Sequence, residues 1–253
     1  MILKLIGGIN MNIGIIFAGG IGTRMHSKAK PKQFLEMNNK PIIIHTIEHF
    51  EKHPLIDSLV VSCVKEWIPY LNELLFKYRI EKVKKIVPGG ETGQLSIYNG
   101  LLAANEISND DDTVVLIHDG VRPLINEKLI SENIYSVFEK GSAITSSAVK
   151  ETMLIVDEKK LSIDYVPSRN CSRIAKAPQS FFLKDILNAH KKSLEDGIYN
   201  FIDSCTMMQY YGYKLYLIDG PDENIKITTP GDFYIMRAIL EAKENAQIYG
   251  YDE

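Results

Sequence analysis

Short runs of β-branched residues alternate with longer segments of helical periodicity along most of the chain, and no other feature limits the fold so tightly. The strand-like runs are "IGIIF" (13–17), "DSLVVSCV" (57–64), "VKKIVPGG" and "TVVLIHDG" (113–120). Between and after them lie "IIIHTIEHFEKH", "WIPYLNELLFKYRI", "LSIYNGLLAANEI" and "EKLISENIYSVFEKG", with apolar residues three and four apart. This rhythm predicts an α/β fold, a mostly parallel central sheet covered by helices on both faces. The strands lack polar alternation, as expected when neither face meets water.

After "SAITSSAV" (142–149) the rhythm changes. "TMLIVDEKKLSIDYV" places two strand-like pieces around a charged turn, which predicts a projecting β-arm around 150–172. Helical patterns resume at "LKDILNAHKKSLEDG" and "DSCTMMQYYG", "YKLYLIDG" reads as a further strand, and "PGDFYIMRAILEAKENA" as a last helix. Without repeats or linkers, residues 11–253 read as a single domain, with residues 1–10 an N-terminal extension. Gly7, Gly8, Asn10 and Asn12 interrupt the apolar N-terminus, well short of the roughly 20 apolar residues of a membrane span. Three cysteines, none spaced as a metal pair, add to the expectation of a reduced, cytoplasmic protein.

Ligands in open parallel sheets bind beyond the carboxyl ends of strands. Four polar segments, the first three glycine-bearing, fall at such ends: 18–32, 88–96, 118–123 and 222–229. They are expected to converge on one crevice. The first, "FAGGIGTRMHSKAKPKQF", joins glycines to a dense positive charge, although 29 basic and 32 acidic residues leave the chain at −3 overall. That balance argues against a general nucleic-acid or membrane surface, so the basic loop has a local purpose. No Lys-Ser or Lys-Thr follows the glycines as a Walker A loop requires, and Met25 stands where a dinucleotide fingerprint needs its last glycine. The remaining reading is a loop whose N–H groups wrap a polyphosphate while Arg24 and Lys32 neutralise it.

"AGGIGTRM…PKQF", "PGG" before a helix, "IHDGVRP", "APQSF" and "ENIKITTPGD" occur in this order. From about Asn12 to about Ala242 the chain resembles the cytidylyltransferases that make CDP-activated polyol phosphates, which act on methylerythritol 4-phosphate or ribitol 5-phosphate. The resemblance implies a Rossmann-like nucleotidyltransferase fold, with a β-arm interlocking two subunits of a homodimer. It implies CTP and a polyol phosphate as substrates, with Mg²⁺ or another divalent cation as cofactor. A phosphate monoester oxygen would attack the α-phosphorus of CTP and expel pyrophosphate. The monoester arrives largely dianionic, with a second pKa near ~6, so the reaction needs positive charge rather than a general base.

On this resemblance Arg24, Lys32 and Lys226 would be catalytic, the first two on the triphosphate and Lys226 on the acceptor phosphate. Phe17, Ala18, Gly19, Gly20, Gly22, Gly89, Gly90, Glu91, Ser96 and Asp119 would bind the nucleotide, with Ser96 at a helix start where it could equally serve as a cap. Asp119 could instead meet the acceptor or a hydrated Mg²⁺, or only cap its turn. Arg122, Thr152 and Arg169 would complete the acceptor site, Thr152 by reaching across a dimer. The metal ligands are not identified. Lys28 and Lys30 match no motif position and read as surface charges.

Two positions depart from the family pattern. Gly93 stands where the family commonly has Arg, and Ala177 where it often has Thr near the acceptor. "PQSF", "HDGVRP" and "DSCT" (203–206) resemble the ribitol-phosphate branch more than the methylerythritol branch, which tends toward an acidic pair where Asp203 and Ser204 sit. Three other classes compete. His45 and His49 in "HTIEH" match an inverted zinc-protease motif, although the helix equally packs Ile43, Ile47 and Phe50 inward. A catalytically silent nucleotide-binding module is the second. A hexose-1-phosphate nucleotidyltransferase is the third, and it would need a longer glycine loop.

Overall fold

The computed structural model describes residues 11–19 and 30–249. The extension 1–10, and with it Gly20, Gly22, Arg24 and Lys28, lies outside the described residues.

The chain forms β1 (Asn12–Ala18), β2 (Glu36–Met37), β3 (Lys40–Pro41), α1 (Ile42–Lys52), β4 (Ser58–Cys63), α2 (Ile68–Lys77), β5 (Val83–Pro88), α3 (Gly93–Ile107), β6 (Val114–Asp119), α4 (Glu127–Lys140) and β7 (Ser142–Ala148). It continues through β8 (Ile155–Val156), β9 (Ile163–Tyr165), β10 (Arg173–Phe182), α5 (Leu183–Glu195), α6 (Ser204–Tyr210), β11 (Leu217–Asp219) and α7 (Pro230–Tyr249). Seven strands make the central sheet in the order β11-β7-β10-β6-β1-β4-β5. All neighbours are parallel except β10, which runs antiparallel to both β6 and β7. The expected α/β, Rossmann-like architecture is present.

Alternation along β1 and β6 feeds two cores. Ile13, Ile15, Val115 and Ile117 point to the face covered by α3, α5 and α6, where Leu101, Leu187 and Met207 pack. Ile16, Val114 and Leu116 point to the other, against Ile43, Ile47 and Phe50 of α1 and Ile130 and Ile134 of α4. Both faces are covered, hence the unbroken apolar runs. A smaller cluster of Met37, Val121, Leu124, Ile227 and Met236 fastens α7 and the segment before it to β2 and the loop after β6.

Local signals set the helix ends. Asn126 caps α4 by accepting from Leu129 N at 2.9 Å, and Gly141, at φ 86°, ends it in the left-handed region. Thr92 caps α3 by accepting from Leu95 N at 3.1 Å, so the helix begins before Ser96 rather than at it.

Three expectations about strands change. β10, which contains "APQSF", is a full sheet strand that the sequence reading left unassigned. Within "YKLYLIDG" only Leu217–Asp219 is strand. Thr152, at the head of the first strand-like piece "TMLIV", lies in irregular backbone before the arm's first strand. The arm itself forms: β8 and β9 pair antiparallel, and Asp157 holds the turn by accepting from Leu161 N and Ser162 N at 3.0 and 3.1 Å. Its apolar side chains Leu161, Ile163, Tyr165 and Val166 are exposed.

Candidate active site

β1 and β6 are hydrogen-bonded neighbours in a register that places Phe17 opposite Asp119, and both strands end there. Beyond these ends lies a cleft of about 240 Å³, lined among others by Phe17, Asp119, Arg122 and Lys226. It is the crevice expected of an open α/β sheet.

Asp119 organises it. One carboxylate oxygen accepts from Arg122 Nε at 2.8 Å, and the other lies 2.6 Å from Lys226 Nζ. Burial alone would push this carboxyl up. The ammonium of Lys226 and the guanidinium of Arg122 outweigh burial and hold it down to about 2. Asp119 is therefore an ionised hub for two cations rather than the cap of its own turn. Lys226 Nζ also sits 5.8 Å from the Phe17 ring centroid, so its charge lies over an aromatic face.

The irregular segment carrying Lys226 is held from several sides. Ile227 N donates to Val121 O at 3.0 Å, and Arg122 Nη1 donates to Asn224 O at 2.8 Å. Asn224 Nδ2 donates to Ala177 O at 2.6 Å. Lys32 Nζ donates to Ile227 O at 3.0 Å, which brings this basic side chain within one residue of Lys226 across 195 positions of sequence. Asp232 accepts from Thr228 N and Thr229 N, closing the segment onto α7. Lys226 is thus fixed by a loop rather than a strand.

Gly19 and Gly89 meet backbone to backbone. A Cβ on Gly89 would fall 2.9 Å from the Gly19 Cα, and one on Gly90 would fall 2.4 Å from the Leu95 Cβ. Side chains at these positions would push apart the loops that follow β1 and β5, a direct reason for glycine. Ser96 is buried on this seam, its hydroxyl accepting from Gly90 N at 3.0 Å and donating to Thr92 O at 2.9 Å. Ala18 O accepts from Gln33 Nε2 at 2.7 Å, which ties the end of β1 to the basic segment's far end. Glu91 is exposed at the same loop.

Thr152 and Arg169 do not line the cleft. They are exposed on the arm and paired with each other, Arg169 Nη2 donating to Thr152 Oγ1 at 3.2 Å. Lys30 lies 3.5 Å from Glu36. The histidines of "HTIEH" spend a ring nitrogen each on backbone carbonyls, His45 on Met37 O at 2.9 Å and His49 on Pro123 O at 3.1 Å, and burial lowers the pKa of both. His118 is fully buried with its Nε2 on Arg122 O, and burial lowers its pKa to about 4, so it is neutral at pH 7. It shapes the turn that presents Arg122.

Lys176, Gln94, Gln179 and Asp203 line the cleft without having been singled out as site residues. Gln179 Nε2 donates to Asp203 Oδ2 at 3.0 Å and its Oε1 accepts from Cys205 N at 2.8 Å, joining β10 to the start of α6. Gln179 and Asp203 belong to "APQSF" and "DSCT", so their motifs carried a signal, but only the fold sets them face to face.

Among the described residues no three His, Cys, Asp or Glu side chains gather as metal ligands. Asp119 and Asp203 are the carboxylates lining the cleft, and Asp203 is committed to Gln179 and Thr206. That donor set suits a hard cation held by one carboxylate and otherwise by substrate phosphates and water. No helix among the described residues is long and apolar enough to cross a membrane.

Comparison with known proteins identifies the family. The family model described as IspD, 2-C-methyl-D-erythritol 4-phosphate cytidylyltransferase, matches residues 13–242. A ribitol-5-phosphate cytidylyltransferase of Streptococcus agalactiae serotype V is 55% identical over 95% of this chain and 99% of its own. A 2-C-methyl-D-erythritol 4-phosphate cytidylyltransferase of Clostridium botulinum (strain 657 / Type Ba4) is 40% identical over 92% of this chain and 99% of its own. The solved 4-diphosphocytidyl-2C-methyl-D-erythritol synthase of Anaerococcus prevotii superposes with a TM-score of 0.77 at 26% identity, covering 92% of this chain and 99% of that one.

Proposed function

The chain belongs to the CDP-polyol-phosphate cytidylyltransferase family and is a nucleotidyltransferase, and from that premise we propose that it transfers the cytidylyl group of CTP to D-ribitol 5-phosphate, giving CDP-ribitol and pyrophosphate. The observation that carries the reaction is the convergence of Arg122 and Lys226 on Asp119, with Lys32 anchored one residue from Lys226. The site gathers cations where two anionic substrates would meet, and its buried histidines are neutral: His190 lines the cleft, and His118 behind it is committed to a carbonyl. That suits a nucleophile that arrives deprotonated.

The residues then divide the work. The abutting glycines 19 and 89 let backbone N–H groups approach the nucleotide without a side chain between. Lys32, with Arg24, stabilises charge on the triphosphate as the bond to pyrophosphate breaks. Lys226 exchanges Asp119 for the acceptor phosphate and guides its oxygen toward the α-phosphorus. Arg122 is the second cation on that phosphate, aimed by His118 and Asp119. A divalent cation bound with the triphosphate would neutralise its charge and polarise the reacting phosphorus, with Asp119 the described carboxylate placed to hold it. The exposed apolar arm joins two copies into a homodimer and carries Thr152 and Arg169 to the partner's acceptor site.

Ribitol 5-phosphate is favoured over the branched acceptor by the 55% identity to the Streptococcus agalactiae relative against 40% to the Clostridium one. The polar wall of Gln179, Asp203 and Ser204 also suits a hydroxyl-rich chain. The second reading, methylerythritol 4-phosphate as acceptor, is favoured by the description of the matching family model. The test is pyrophosphate release with CTP and Mg²⁺, offering the two acceptors in parallel. Preference for ribitol 5-phosphate is the expected result, preference for the other overturns the acceptor assignment, and activity unaffected by EDTA overturns the metal requirement.

A further inference from the structure

We propose that Lys176 is an acceptor-binding residue, one that contacts the acceptor's phosphate and sets selectivity for a phosphorylated polyol. The inference rests on the cytidylyl-transfer reading, though not on which polyol phosphate is used. Lys176 lies on β10 where that strand crosses the cleft, between Ala175 and Ala177, and all three line it. Pairing with β7 is irregular between Ala175 and Gln179, so this stretch is freed from the regular ladder beside the substrate space.

The charge of Lys176 is unusual in its setting. Arg122 and Lys226 share the single Asp119 carboxylate, which leaves that trio one net positive charge. Among the described residues, no carboxylate oxygen lies within 4 Å of the Lys176 ammonium. The nearby Asp222 carboxylate is taken by Lys150 at 2.5 Å. Lys176 Nζ instead donates to two backbone carbonyls, Pro221 O at 3.0 Å and Asp222 O at 2.9 Å. An ammonium has three N–H donors, so one remains on a side chain that is half-buried against the cleft. A phosphate monoester carries about −1.5 to −2 charge at pH 7, more than the Asp119 trio can neutralise. Lys176 adds a further positive charge to that trio, pinned in place by two backbone carbonyls.

Lys176 also ties β10 to the segment that carries Lys226, so its test must separate contact from scaffolding. Steady-state kinetics of Lys176→Met and Lys176→Arg, with whichever acceptor the wild type turns over, make that separation. For Lys176→Met the KM for the acceptor is expected to rise about 10- to 100-fold with the KM for CTP unchanged. Competitive inhibition by inorganic phosphate against the acceptor should weaken by a similar factor, and Lys176→Arg should recover most of both. A fall in kcat with unchanged acceptor KM and phosphate inhibition would show a purely structural tie and overturn the inference. A wild type that releases no pyrophosphate with either acceptor would remove the parent reading, and this one with it. A functioning wild type with an unaltered Lys176→Met overturns this inference alone.

Discussion

Lys226 Nζ and Asp119 Oδ1 lie 2.6 Å apart, an ion pair whose two members differ sharply in exposure: the Asp119 side chain is 7% accessible and that of Lys226 41%. The pair is therefore asymmetric. Removing Lys226 leaves Asp119 with Arg122 and opens one end to water, whereas removing Asp119 strands a half-buried guanidinium.

Lys226→Ala should consequently cost about 100- to 1,000-fold in kcat, while changing folding stability by no more than about 1 kcal/mol. Asp119→Ala should destabilise the fold by about 3–5 kcal/mol through the uncompensated Arg122. Urea denaturation and turnover on the same two variants check both halves. Equal stability losses would mean that the two partners contribute alike.

Gly93 is the first residue of α3, lines the cleft and has nothing within 4 Å of the position a Cβ would take. Packing does not require glycine here. Gly93→Arg should fold with unchanged or slightly raised stability, since glycine is the poorer helix former by about 1 kcal/mol. The added cation should lower the KM for CTP severalfold, measured at fixed acceptor.

Acid should weaken the fold through histidines that it keeps neutral. Burial lowers His118 and His190 to about 4 from an ordinary 6.5. Their folded values lie below their unfolded ones, so the unfolded chain takes up these protons first as pH falls. Stability from this source is full above pH 6.5 and declines toward pH 4. Neither ring nitrogen of His190 has a hydrogen-bond partner among the described residues, and its ring stacks on Tyr98. His190→Phe should flatten the decline by up to about 1.4 kcal/mol per pH unit within that window, as read from denaturation midpoints at several pH values.

The acid limb of activity should have another source. The acceptor's own second ionisation, near ~6, should govern kcat/KM for the acceptor, because the dianion is the nucleophile. Asp119 stays ionised down to about 2 and does not contribute. An acceptor with a more acidic phosphoryl group should move the limb to lower pH, and an unmoved limb would assign it to the enzyme.

The arm exposes Leu161, Ile163, Tyr165 and Val166 together, an apolar surface fit for a second copy of this chain. A Tyr165→Asp/Val166→Asp variant should sediment as a monomer while the wild type sediments as a dimer. Its loss of activity should exceed that of Thr152→Ala, which leaves the surface intact.

Much of this was legible because strand ends are marked by composition. The β-branched run "IGIIF", the glycine pairs and "IHDGVRP" announce where strands stop and loops begin, so Phe17, Asp119 and Arg122 could be placed at one crevice. β10 was not, since "RIAKAPQSFF" mixes Pro, Lys and Gln with apolar residues and has neither strand period nor helix period. Only its pairing between β6 and β7 makes it a strand. Lys176 was overlooked for the same reason. The cap reading of Ser96 failed because Thr92, four residues earlier, already satisfies the helix start. The Lys32–Ile227 contact spans too much sequence for any local signal.

β10 begins at Arg173, beside the arm, and ends at Phe182 in the core, passing the substrate space on the way. One continuous backbone therefore serves as both the root of the exposed apolar arm and a wall of the cleft. On the homodimer proposed above, protein concentration becomes a variable of the chemistry: below the dimer's dissociation constant, specific activity should fall with dilution. The shared strand also limits how acceptor preference can diverge, since a change that shifts it to suit a new polyol also shifts the base of the arm.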